Sequence, residues 1–81
     1  MNKEMVQTKI LDILEEICAD EIVKKELDIN LLEEGLIDSL DYIELLINIE
    51  EAFDIVMSPT EFTREEMDTP RKIIQQVETR L

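Results

Sequence analysis

The chain has 81 residues, 44% hydrophobic and 36% charged: apolar material for one small core, and too little length for two domains. Eight basic residues against 21 acidic ones, with no histidine, leave a net charge of -13, which repels phosphate backbones and anionic lipid and argues against nucleic acid or membrane surface as partner. One glycine and two prolines leave no glycine-rich phosphate cradle, so the expectation is an all-α fold in a single domain over 1–81.

The first element is an amphipathic helix from about Lys3 to Cys18, with Val6, Ile10, Ile13, Leu14 and Ile17 at helical spacing and Lys9, Asp12, Glu15 and Glu16 on the other face. From Ala19 to Asp38 the period is lost. Isolated apolar residues (Ile22, Val23, Leu27, Ile29, Leu31, Leu32) and the only glycine, Gly35, suggest a long ordered loop with room for one turn of helix, pinned to the core by those side chains. A second helix is expected from Ser39 to about Phe53, because a serine or aspartate just before a periodic apolar run is a good N-cap, and Asp41 then lies in the first turn. Ser58-Pro59-Thr60-Glu61 reads as a further start, with Ser58 as cap and Glu61 completing a capping box for a short helix to Met67. Thr69-Pro70 repeats that grammar for the last helix, which should turn Ile73, Ile74, Val77 and Leu81 inward. The sum is a small four-helix bundle with a long first loop and a short third helix.

Cys18 is the only cysteine, so no intrachain disulfide forms, and without histidine there is neither a zinc site nor a Cys/His nucleophile pair. No basic leader precedes an apolar stretch and no apolar run exceeds three residues, from which we expect neither a signal peptide nor a membrane span and a cytoplasmic location. No metal site and no catalytic pair is identifiable. The charge is uneven: between Lys25 and Arg64 there are eleven acidic residues and no basic one. On a helical wheel Tyr42, Leu45, Leu46, Ile49 and Phe53 form one arc, a sufficient core face, yet Leu40, Ile43 and Ile47 remain on the other side among Glu44, Glu50 and Glu51. Either the long loop covers this second stripe, or it is an exposed strip suited to docking basic partners, with Leu40, Ile43, Glu44 and Ile47 as the docking residues.

Ser39 stands at the start of this helix with no base in reach by sequence, which argues against self-catalysed acyl transfer; local spacing alone makes it a cap. The stretch Glu34-Gly35-Leu36-Ile37-Asp38-Ser39-Leu40-Asp41 resembles the attachment motif of the acyl carrier protein family, and the helix to Phe53 and the Thr69-Pro70 start sit where that family places its helices. The resemblance covers essentially the whole chain. It implies a bundle of that type with 4′-phosphopantetheine covalently attached at Ser39, flanked by the motif neighbours Asp38, Leu40 and Asp41, in a monomeric, non-catalytic carrier.

Within the family the likeness is greatest to the branch that serves D-alanylation of lipoteichoic acid in cell-wall biogenesis, through Ile17-Cys18 to Lys24, Glu33 to Ser39, Phe53-Asp54-Ile55, Thr60-Glu61-Phe62 and Thr69-Pro70. Lys25-Glu26-Leu27-Asp28 and Leu40-Asp41-Tyr42 depart from that branch. The resemblance implies a phosphopantetheinyl transferase, an ATP-dependent D-alanine ligase and a membrane-bound acyltransferase as partners. A carrier of fatty-acid, polyketide or nonribosomal peptide synthesis is the alternative within the class, and an unmodified acidic interaction protein the alternative outside it.

Overall fold

A computed structural model describes residues 2–81, the side chains of Pro59 and Arg64 excepted. Helix α1, Lys3–Cys18, opens at Asn2, whose side-chain oxygen accepts the Met5 N–H at 2.8 Å, and closes on Ala19 in the left-handed region at φ 54°. Val6, Ile10, Leu11 and Leu14 are buried, while Ile13 and Ile17, on the edge of the same face, are half-buried. The single turn α2, Ile22–Lys25, lies in the first loop and buries Val23. Lys24 reaches back from it to Asp12 at 2.8 Å and Glu15 at 3.4 Å, and the hydrogen bond to Asp12 is the main reason its ammonium is held above the usual lysine range.

The loop from α2 to α3 is fixed at both ends. Leu31 and Ile37 are buried, and Asn30 organises the turn between them: its Oδ1 accepts the N–H groups of Leu32 and Glu33 and its Nδ2 donates to Asp68 Oδ2 at 3.2 Å. The Leu31 N–H donates to the Asp68 carbonyl and the Arg71 N–H to the Leu27 carbonyl, while Arg71 Nε donates to Asp28 at 2.8 Å. Chiefly through that hydrogen bond, the Asp28 carboxyl sits below the usual carboxylate range. Gly35, at φ 69°, supplies the left-handed residue that returns the chain toward α3.

Helix α3, Ser39–Phe53, buries Leu45, Leu46, Ile49 and Phe53 against α1, with Tyr42 half-buried at the edge of that arc. Its N-cap is Asp38, so Ser39 is the first helical residue and not the cap; the reason is given with the site below. After Phe53 the chain turns through Asp54 at φ 55°. The short helix expected from Pro59 to Met67 is two 3₁₀ turns, Pro59–Glu61 and Arg64–Glu66, separated by extended backbone at Phe62. No capping box forms at Ser58, whose hydroxyl pairs with the Thr60 hydroxyl at 2.9 Å and takes no helix N–H. Helix α4, Pro70–Glu78, starts as its sequence implies: Thr69 Oγ1 accepts the Lys72 N–H at 3.2 Å, with Pro70 in first position. Ile73, Ile74 and Val77 are buried, but Leu81 is 57% exposed, because the helix stops at Glu78 and residues 79–81 leave its wheel. α1 packs on α2, α3 and α4, and the buried apolar residues form one cluster among them. This is the all-α bundle that the periodicities imply, and it presents the head of α3 to solvent.

Candidate functional site

The head of α3 is built by two aspartates holding each other's backbone. Asp38 Oδ1 accepts the Asp41 N–H at 2.9 Å, and Asp41 Oδ2 accepts the Asp38 N–H at 3.2 Å, a reciprocal capping box across three residues. Asp41 is three residues beyond Asp38, whereas three beyond Ser39 stands Tyr42, whose phenol cannot return such a bond; this spacing selects Asp38 over Ser39 as cap. Ser39 follows with an exposed side chain. A primary alcohol thus stands at the positive end of a 15-residue helix.

Around it the electrostatics are acidic. Cys18, at the end of α1, has its thiol pushed up to about 11, first by burial and then by the charges of Asp41 and Asp20. It stays protonated at neutral pH and is a poor nucleophile.

From Ser39 the exposed face of α3 continues as an apolar stripe: Leu40 is 80% exposed, Ile43 41% and Ile47 49%. The long loop does not cover it; Leu31 and Ile37 anchor that loop in the core instead. Glu44, also exposed, flanks the stripe. Beyond it an open groove of about 430 Å³ runs between α3 and α1, lined by the apolar Ile13, Ile17 and Ala52 and by Lys9, Glu16, Glu44, Asn48 and Glu51. All seven residues singled out in the sequence, Asp38, Ser39, Leu40, Asp41, Ile43, Glu44 and Ile47, therefore lie at the head or along the outer face of one helix. Val56 was missed: it is 72% exposed although it sits in the apolar run Ile55-Val56-Met57. The signal was there, since in an extended segment the middle of three apolar residues faces away from the other two.

Residues 8–77 match the family model for a phosphopantetheine attachment site. Curated relatives cover nearly the whole chain. The D-alanyl carrier protein of Abiotrophia defectiva is 47% identical over 76 residues, 94% of this chain and 96% of the relative. That of Bacillus subtilis is 48% identical over 69 residues, 85% and 88% of the two chains, and that of Bacillus cereus 44% over 70 residues, 86% and 89%.

The covalent group of that family is 4′-phosphopantetheine, joined through a phosphodiester. The residues at the head of α3 fit it: a primary alcohol stands on an exposed residue at a helix N-terminus, and the aligned peptide dipoles favour the anion by about 0.3–1 kcal/mol at a surface. Asp38 and Asp41 oppose that locally, but each has a carboxylate oxygen engaged by a backbone N–H. With family match, length, fold and an attachment-competent helix head in agreement, the chain belongs to the phosphopantetheine-bearing carrier proteins, in the branch of the D-alanyl carriers, and is a carrier and not a catalyst.

Proposed function

We propose that this chain, as one carrier domain over residues 1–81, bears 4′-phosphopantetheine on Ser39, receives D-alanine from an ATP-dependent ligase, and delivers it to a membrane-bound acyltransferase for D-alanylation of lipoteichoic acid. The observation that carries the proposal is the likeness, over nearly the full length, to proteins named for carrying D-alanine. The group supplies, when bound, a flexible arm whose terminal thiol holds an acyl group as a thioester. The chain's own residues present the arm and are recognised by the enzymes. Ser39 is supported as the attachment point by its place in the Asp-Ser-Leu motif and by its exposure. Leu40, Ile43 and Ile47 form the apolar part of the docking surface and Glu44 its charged flank, for a phosphopantetheinyl transferase, the ligase and the acyltransferase in turn. No helix among the described residues is long and apolar enough to cross a membrane. The proposed carrier is monomeric and cytoplasmic and visits the membrane enzyme without inserting.

Intact mass tests the proposal in two steps. Incubated with a phosphopantetheinyl transferase and coenzyme A, the chain should gain one arm and Ser39→Ala none. The armed chain should then gain D-alanine, and not L-alanine, from the ligase and ATP. A Ser39→Ala chain that still takes the arm would move the attachment elsewhere. Loading by a fatty-acid malonyl transferase but not by the D-alanine ligase would reassign the cargo to fatty-acid synthesis.

A further inference from the structure

Among the described residues only two polar ones are buried, Asp68 and Thr69. Thr69 caps α4; Asp68, just before it, is bonded to the first loop as well as to α4. Its Oδ2 accepts Asn30 Nδ2 at 3.2 Å and its carbonyl accepts the Leu31 N–H at 2.8 Å. Lys72 Nζ closes on its Oδ1 at 2.9 Å and also donates to the Glu65 carbonyl at 2.8 Å. From the first loop the bonds continue toward Ser39. The Leu31 carbonyl accepts the N–H groups of both Leu36, at 2.9 Å, and Ile37, at 3.2 Å, while Asn30 Oδ1 holds the Leu32 and Glu33 N–H groups between them. Ile37 is buried, and the two residues after it are the cap Asp38 and Ser39. A run of hydrogen bonds thus leads from a buried carboxylate before α4 to the head of α3. An apolar side chain in place of Asp68 would be buried without the desolvation cost of a carboxylate, but it could not hold Asn30.

We infer that Asp68 is a positioning residue for the attachment site: through Asn30 and Leu31 it holds the turn over residues 30–37, and that turn sets where Ser39 stands at the head of α3. The inference rests on the reading of Ser39 as the attachment point. In arm transfer the Ser39 oxygen forms a bond to the pantetheine-side phosphorus of coenzyme A, the pyrophosphate bond breaks, the adenosine bisphosphate leaves and the hydroxyl proton passes to the transferase or to water. Displacement at phosphorus depends on where the attacking oxygen stands, so a shift of the helix head lowers the rate within the bound complex. Ile43 and Ile47, proposed for docking, lie further along α3, where its packing on α1 holds them, so binding of the transferase is little affected.

The experiment is arm transfer from coenzyme A by a phosphopantetheinyl transferase, with the unmodified chain as variable substrate and hydrogen exchange at the Leu36 and Ile37 amides as a second readout. Asp68→Ala should speed exchange at both amides and lower kcat about ten-fold with KM little changed. Asp68→Asn keeps an amide oxygen for Asn30 Nδ2 while losing the charge opposite Lys72, and should recover both protection and kcat. Asn30→Asp keeps an oxygen for the Leu32 and Glu33 N–H groups but sets a carboxylate against Asp68. It should reproduce the loss in kcat, which keeps the test valid should Asp68→Ala fail to fold. A role confined to stability would instead reduce the folded fraction, raising the apparent KM and leaving kcat unchanged, and would overturn the inference. An Asp68→Asn chain as slow as Asp68→Ala would assign the effect to the ion pair with Lys72 and overturn it too. If Ser39→Ala takes the arm as fast as the unaltered chain, the attachment reading fails and this inference with it. If Ser39→Ala takes none while Asp68→Ala and Asn30→Asp keep the full kcat, the attachment reading stands and only the task given to Asp68 is overturned.

Discussion

At the scale of single residues, the head of α3 is closed by Asp38 and Asp41, and Ser39, the proposed attachment point, is an exposed residue beside that cap and not the cap itself. Asp38→Ala should therefore cost about 0.5–2 kcal/mol, the usual loss for an N-cap, whereas Ser39→Ala, at an exposed first-turn position, should change stability by no more than about 0.5 kcal/mol. Urea melts of the two variants check this; equal losses would mean that Ser39 shares the capping role. The sequence contained the distinction, though the residue types alone did not, since serine and aspartate both cap well. It lay in spacing: an acidic residue stands three beyond Asp38 and a tyrosine three beyond Ser39.

At the scale of elements, α3 has two apolar faces with different fates. Ile49 is fully buried, and Ile49→Ala should cost about 2–5 kcal/mol through lost transfer energy and the cavity left behind. Ile47, two residues away and half exposed, should tolerate Ile47→Asp within about 0.5 kcal/mol while losing association with the transferase. Chemical denaturation and a binding titration on the same samples decide it; a loss of several kcal/mol for Ile47→Asp would mean the stripe is packed in solution. The wheel separates the two faces from sequence, but not which one is covered, because that depends on Leu31, Ile37 and Asn30 tying the first loop to the core and to Asp68. The two proline-containing helix starts teach a related lesson. Thr69-Pro70 is followed by Ile73, Ile74 and Val77, an apolar face to bury, and α4 forms. Ser58-Pro59 is followed only by Phe62 and Met67, five residues apart, which no helical face can bury together; a cap without a face gives 3₁₀ turns.

At the scale of the whole molecule, the net charge of -13 is confined to a body of 29 × 27 × 18 Å. At about 0.01 M salt the Debye length, about 30 Å, is comparable to the longest dimension, so the acidic residues repel one another across the entire fold; at about 0.15 M it is about 8 Å and repulsion is local. Most of the ion pairs that oppose this are at the surface, Lys24 with Asp12 and Arg71 with Asp28 among them, and such pairs contribute little; Lys72 with the buried Asp68 is the exception. Salt should therefore stabilise the fold, raising the urea midpoint between those two concentrations. The same screening acts with the opposite sign on function. Under the docking proposed above, a basic surface on the transferase would be attracted by the acidic segment from Glu26 to Glu61, so KM for arm transfer should rise over the same range. Glu44→Lys should flatten that dependence, because it removes one charge from the flank of the stripe and adds its opposite. A urea midpoint that falls as salt is added would show that the ion pairs outweigh the repulsion. A KM indifferent to salt would show that the apolar stripe alone recruits the enzyme and that the acidity serves only to keep the carrier dissolved.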